Sequence, residues 1–147
     1  MSTENRQRIA DLIQKKRRTE RLPSLVAAWA ALGASISPLS DERQRALSGR
    51  LRATRRWELK PAPSLEGALR AYSEPFEMLI VVEWDVNEHP AVLISAEALL
   101  RSLPKLRATY PNGFCLADPQ LSEALIVSFD DERVEVEIDL LELAPAH

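Results

Sequence analysis

Glycine and cysteine are scarce in this chain, with four glycines and one cysteine among 147 residues, alongside only two histidines. So few glycines leave little material for a phosphate-cradling loop, and no Walker A, G-x-G-x-x-G or G-x-S-x-G segment occurs. Cys115 is alone and can form no internal disulfide, which fits a reducing compartment. Cys115, His89 and His147 have no ligand-like spacing for zinc. Asp85, Asn87 and Glu88 offer oxygens but lack the calcium-loop pattern with its later glutamate. A Cys115–His89 dyad is the one nucleophilic pairing available, and a lone cysteine in "NGFCLAD" reads better as a small buried residue. No catalytic residue, metal or cofactor is assigned, and the chain is expected not to be an enzyme.

Long apolar runs are missing too. "SLVAAWAALGA" and "MLIVV" fall short of the roughly 20 residues that span a bilayer. The stretch "MSTENRQRIADLIQKKRRTE" has dispersed charges and no apolar segment of the kind a secretory signal carries. A cytoplasmic location and no membrane partner are expected.

What is present is apolar content of 46% with 28% charged residues, enough for one soluble domain over residues 1–147. Its net charge of −3 conceals a division. Residues 1–60 carry 14 Lys and Arg against 6 Asp and Glu, whereas residues 61–147 carry 5 against 16. Such polarity implies either a charged partner or two halves that attract each other.

The basic third, about residues 1–60, reads as helical. Ile9, Leu12 and Ile13 give a thin apolar stripe on a first helix, capped by Ser2 or Thr3. After Pro23, Leu25, Ala28, Trp29 and Leu32 mark a second, buried helix that stops at Gly33. A third starts at Ser40, with Asp41 and Glu42 in its first turn, Leu47, Leu51 and Trp57 inward, and Arg45, Arg52 and Arg56 on another face. "KPAPS" at 60–64 is the expected joint, since its prolines force extended neighbours.

The acidic part, about residues 64–142, mixes both elements. Ser64 caps a short helix, and "FEMLIVVEW" and "PAVLIS" form a hairpin around "DVNEH". Ser95 caps another helix, which Pro104 ends or restarts before the "YPNG" turn. "EALIVSF" and "RVEVEIDL" make a second hairpin. In its last strand Val134, Val136, Ile138 and Leu140 alternate with Arg133, Glu135, Glu137 and Asp139. The expected fold is α+β, with N-terminal helices covering one side of a mainly antiparallel sheet of about four strands.

Along that strand the carboxylates recur about every 6.6 Å, from a rise of about 3.3 Å per residue. Successive phosphates on a nucleic-acid strand lie on the order of 6–7 Å apart, so the row matches a groove built for phosphates. Equally, a charged outward face guards a sheet against wrong pairing. Two acidic turns, Glu83, Asp85 and Glu88 in one and Asp130, Asp131 and Glu132 in the other, combine with Glu135, Glu137 and Asp139 as a surface suited to a basic protein. The basic segments "QKKRRTER" and "RLRATRRW" offer the alternative, a nucleic-acid-binding or regulatory adaptor. An acidic chain without a recognition-helix motif makes nucleic acid the weaker expectation.

In length, in its lack of catalytic motifs, and in the acidic α+β part containing "VVEWDVNEHPAVLIS" and "LIVSFDDERVEVEIDL", the chain resembles small cytoplasmic immunity proteins of polymorphic bacterial toxins, notably those of contact-dependent growth inhibition. The likeness covers roughly residues 64–142. It implies a tight complex with the C-terminal domain of a cognate toxin, a nuclease with a basic cleft being one kind. Under it the nine carboxylates named above contact toxin lysines and arginines, with Trp84 a candidate anchor.

Overall fold

A computed structural model describes residues 2–54, 64–129 and 136–143. Serines begin four of its helices, each accepting a backbone N–H three residues on: Ser2 from Asn5, Ser40 from Arg43, Ser64 from Gly67 and Ser95 from Ala98. They open α1 (Thr3–Ala31), α2 (Asp41–Ala53), α3 (Leu65–Ser73) and α4 (Ala96–Arg101). A 3-10 turn at Leu103–Lys105 carrying Pro104 restarts the chain into α5 (Leu106–Thr109).

The two expected N-terminal helices are one. α1 runs 29 residues through Pro23, about 43 Å at 1.5 Å per residue. Proline inside a helix removes one backbone hydrogen bond. Here the neighbouring turns gain external partners, because Arg18 and Arg21 donate to the Asn87 and Glu88 carbonyls. The helix ends where Gly33 takes a left-handed φ of +79°.

The sheet holds β1 (Ser37–Pro38), β2 (Met78–Glu83), β3 (Val92–Ser95), β4 (Phe114–Ala117), β5 (Glu123–Phe129) and β6 (Val136–Glu142) in the order β1-β3-β2-β4-β5-β6, with every pairing antiparallel. It is thus a sheet of five strands with a two-residue edge, not of four. The strand the sequence concealed is β4, which is central, pairing with both β2 and β5. Before it, Gly113 sits at φ +109°, and a β-carbon there would run into the Val127 carbonyl oxygen, so the "YPNG" turn needs its glycine.

Helices cover both faces of the sheet, correcting the one-sided arrangement. On one face Leu79, Val81, Val92, Ile94, Phe114, Leu116, Leu125 and Val127 pack with Trp29 of α1, Leu69 of α3, Leu99 of α4 and Leu106 of α5. On the other, Ile80, Val82, Cys115, Ala117, Ala124 and Ile126 pack beneath Leu47 of α2. β2 and β4 are therefore apolar at nearly every position, as strands buried twice must be. Trp57 and most of the "KPAPS" joint lie outside the described residues.

Candidate partner interface

Both acidic hairpins open at the same end of the sheet. Glu83, the last residue of β2, pairs with Phe114, which pairs with Val127 of β5, and two residues on Phe129 meets Val136 of β6. The β2–β3 loop and the β5–β6 connection thus leave the sheet two strands apart, on the order of 10 Å at about 4.8 Å per strand. Asp130, Asp131, Glu132 and Glu135 lie outside the described residues. Glu137 and Asp139 are described by their backbone, in register with Ser128 and Ile126 on the edge strand β6, where Ile138 and Leu140 join the core.

The β2–β3 loop is a fixed structure. Gln44 of α2 is buried, with 5% of its surface exposed, and its carboxamide meets three backbone groups. Nε2 donates to the Val86 and His89 carbonyls at 2.9 and 2.7 Å, while Oε1 accepts the Ala91 N–H at 3.1 Å. Ser48 donates to Asn87 Oδ1. α1 supplies Arg18 to the Asn87 carbonyl, Arg21 to the Glu88 carbonyl and Arg17 to the Glu88 carboxylate. The attraction between basic and acidic halves is therefore partly satisfied within the chain.

His89 links these groups. Arg21 can only donate, so the His89 Nε2 at 3.0 Å accepts, leaving the ring proton on Nδ1, which faces Glu83 Oε2 at 2.9 Å. Asn112 donates to the other Glu83 oxygen at 3.0 Å. Burial, more than any single charge, holds the imidazole below its ordinary value. Glu83, Asp85 and Glu88 pull it up, and Arg21 pushes it down. A base whose pKa is lowered in the fold contributes nothing well above its unfolded value of about 6.5 and costs stability as pH falls through it, since the unfolded ring takes up the proton first. Melting temperatures of the wild type and His89→Gln between pH 7.5 and 5.5 should show a shallower loss on acidification in the variant.

Of the three predicted carboxylates on this loop, Glu83 and Glu88 thus have internal partners, and Asp85 stands exposed. Beside it Trp84 is 49% exposed. A tryptophan in such a run is ordinarily absorbed by a core, but the alternation that buries Val82 and turns Glu83 toward His89 leaves Trp84 past the end of β2. What the sequence did not reveal is the set of groups that hold the loop, Gln44, Arg17, Arg18 and Arg21, which lie 42–71 residues from their partners.

The one cysteine is a core residue. Cys115 is buried in the centre of the sheet, its thiol pushed up to about 12 by burial. Tyr72 and Tyr110 are also pushed up by burial; Tyr72 donates to the Glu123 carbonyl, and Tyr110 accepts from Trp29. Among the described residues no group of three His, Cys, Asp or Glu could hold a metal ion, and no helix is long and apolar enough to cross a membrane. No protein-family model, curated protein or solved structure matches the chain.

Proposed function

We propose that this chain is a cytoplasmic immunity protein that binds and neutralises a cognate bacterial toxin domain, a nuclease with a basic cleft being the partner its charge suits best. The observation that carries the reading is Trp84, half exposed next to Asp85 on a loop bonded to both α1 and α2, at the sheet end from which the second acidic connection also departs. An exposed indole on a rigid support is an inexpensive anchor, because little ordering remains to be done on binding. Carboxylates around it would steer a basic partner and oppose its phosphate substrate.

The test is binding of the purified chain to the C-terminal domain of the protein encoded by the adjacent upstream gene. Trp84→Ala should weaken the complex by about 2 kcal/mol, roughly thirtyfold, with an unchanged melting temperature, as removal of a central interface aromatic does. Changing Glu135, Glu137 and Asp139 together to Ser should slow association and reduce its salt dependence. Absence of any complex would overturn the immunity reading. For the adaptor alternative Arg45 and Arg52 stay exposed on α2, whereas Arg17, Arg18, Arg21, Arg43 and Arg50 all donate to acceptors inside the chain.

A further inference from the structure

The arginines of α2 divide into two sets. Arg43 and Arg50 donate to the carbonyls of Pro119, Gln120 and Leu121 in the turn between β4 and β5. Arg45 and Arg52 lie seven residues apart on one helical face and form no hydrogen bond or ion pair among the described residues. Both line an open polar cleft of about 290 Å³ between α2 and the N-terminal half of α1.

Gly49 stands between them on the same wall. Glycine in a helix interior is destabilising relative to alanine. A β-carbon at Gly49 would meet nothing within 4 Å, so no packing inside the chain requires the glycine. Its missing side chain instead leaves the α2 backbone open to close approach from the cleft.

The facing wall has a different chemistry. Asp11 and Gln14 of α1 present a carboxylate and a carboxamide, Asn87 adds another amide, and Val86 is the one apolar residue of the lining. Asp11 already accepts from Gln7 at 2.8 Å, which fixes one oxygen and leaves the other to accept. Arg18 is tied to the Asn87 carbonyl at 2.7 Å and to Asp41 at 3.6 Å, holding α1 in place.

We propose that this cleft binds a small phosphorylated sugar or polyol, its phosphoryl group clamped by Arg45 and Arg52 across Gly49 and its hydroxyls donating to Asp11 and bonding with Gln14 and Asn87. Two guanidiniums flanking a residue without a side chain can converge on one phosphoryl group with paired N–H donors. Among the described residues the lining contains no aromatic ring to stack on a nucleobase. Asp11 repels a polyanionic strand, yet it is the acceptor that a hydroxyl-rich ligand needs. The volume lies near the lower end of small-ligand sites, which begin at about 300 Å³. The cleft borders the proposed toxin interface, since Val86 and Asn87 belong to the loop that carries Trp84 and Asp85, but the inference does not rest on that reading.

Calorimetric titration of the purified chain with glucose 6-phosphate, ribose 5-phosphate, inorganic phosphate and glucose tests the proposal. At least one sugar phosphate should bind roughly tenfold tighter than inorganic phosphate, with glucose silent. Arg45→Gln with Arg52→Gln should weaken that binding by at least roughly tenfold and leave the melting temperature in place, because both side chains are exposed. Gly49→Leu should abolish binding while raising the melting temperature by a few degrees, so its loss of ligand cannot be a folding defect. Failure of both sugar phosphates on a chain that still unfolds cooperatively would overturn the proposal. So would inorganic phosphate binding as tightly as they do, indifference to the arginine changes, or tighter binding of a single-stranded oligonucleotide.

Discussion

Trp29→Ala is expected to cost about 3–5 kcal/mol, the range for removing a large buried aromatic, and to leave the chain unfolded or marginal at 37 °C. Trp29 is fully buried and is the only fully buried side chain that α1 contributes. Its indole Nε1 donates to the Tyr110 hydroxyl at 3.1 Å, and the rings stack at a tilt, 6.1 Å between centroids. Tyr110 in turn packs on Phe114 and Phe114 on Phe129, so the loss propagates along an aromatic row into β4 and β5. Trp29→Phe separates the two contributions. It keeps most of the apolar burial and deletes the donor, and should cost about 1–2 kcal/mol. Urea unfolding of both variants measures this; a Trp29→Ala chain as stable as the wild type would mean that α1 is not held by this residue.

Gln44→Leu is the second large effect, about 3 kcal/mol. The substitution preserves volume but strands two part-buried carbonyls and one buried N–H, each costing up to about 1–3 kcal/mol before the loop relaxes. Relaxation is the informative part. If the loop shifts to rehydrate those groups, the stability loss will be smaller and Trp84 will move with it. Gln44→Leu should then weaken the toxin complex even though residue 44 lies outside the proposed contact. Gln44→Glu keeps an acceptor for the Ala91 N–H but turns a buried carboxylate toward two carbonyl oxygens, and at neutral pH should cost at least as much as Gln44→Leu. Unfolding by urea reads the stability, and the emission difference that Trp84→Phe makes, with and without Gln44→Leu, reads the loop.

Much of the fold was legible because it is written locally. Serine caps, the apolar strand Glu123–Phe129 and the glycine after Leu32 all act within a few residues, and each stands where the sequence placed it. The reading of Pro23 as a boundary failed because the compensation is distant: arginines in the adjoining turns bond to a loop 67–69 residues away. β4 escaped notice because four apolar residues carry no period of their own, and only the neighbours β2 and β5 make them a strand. The continuous apolar run of β2 did imply burial on both faces, which is inconsistent with helices on one side only; α2 supplies the second cover. At the candidate interface, charge composition located the acidic loop but could not distinguish Asp85, which is free to solvent, from Glu83 and Glu88, whose partners come from remote elements.

The arrangement of α1 and α2 has a consequence for synthesis. Both helices precede every long strand in the chain, yet their buried residues Trp29 and Leu47 pack on opposite faces of a sheet built mainly from residues 78–142. Leaving the ribosome, neither has a surface to dock on. Their apolar sides, Trp29 on one and Leu47 on the other, stay wet until β2, β3 and β4 have emerged and paired. Translation proceeds at about 5–20 residues per second, so the first fifty residues wait for several seconds as solvated, charge-rich helices. Their high arginine and lysine content keeps that nascent segment from self-association during the delay.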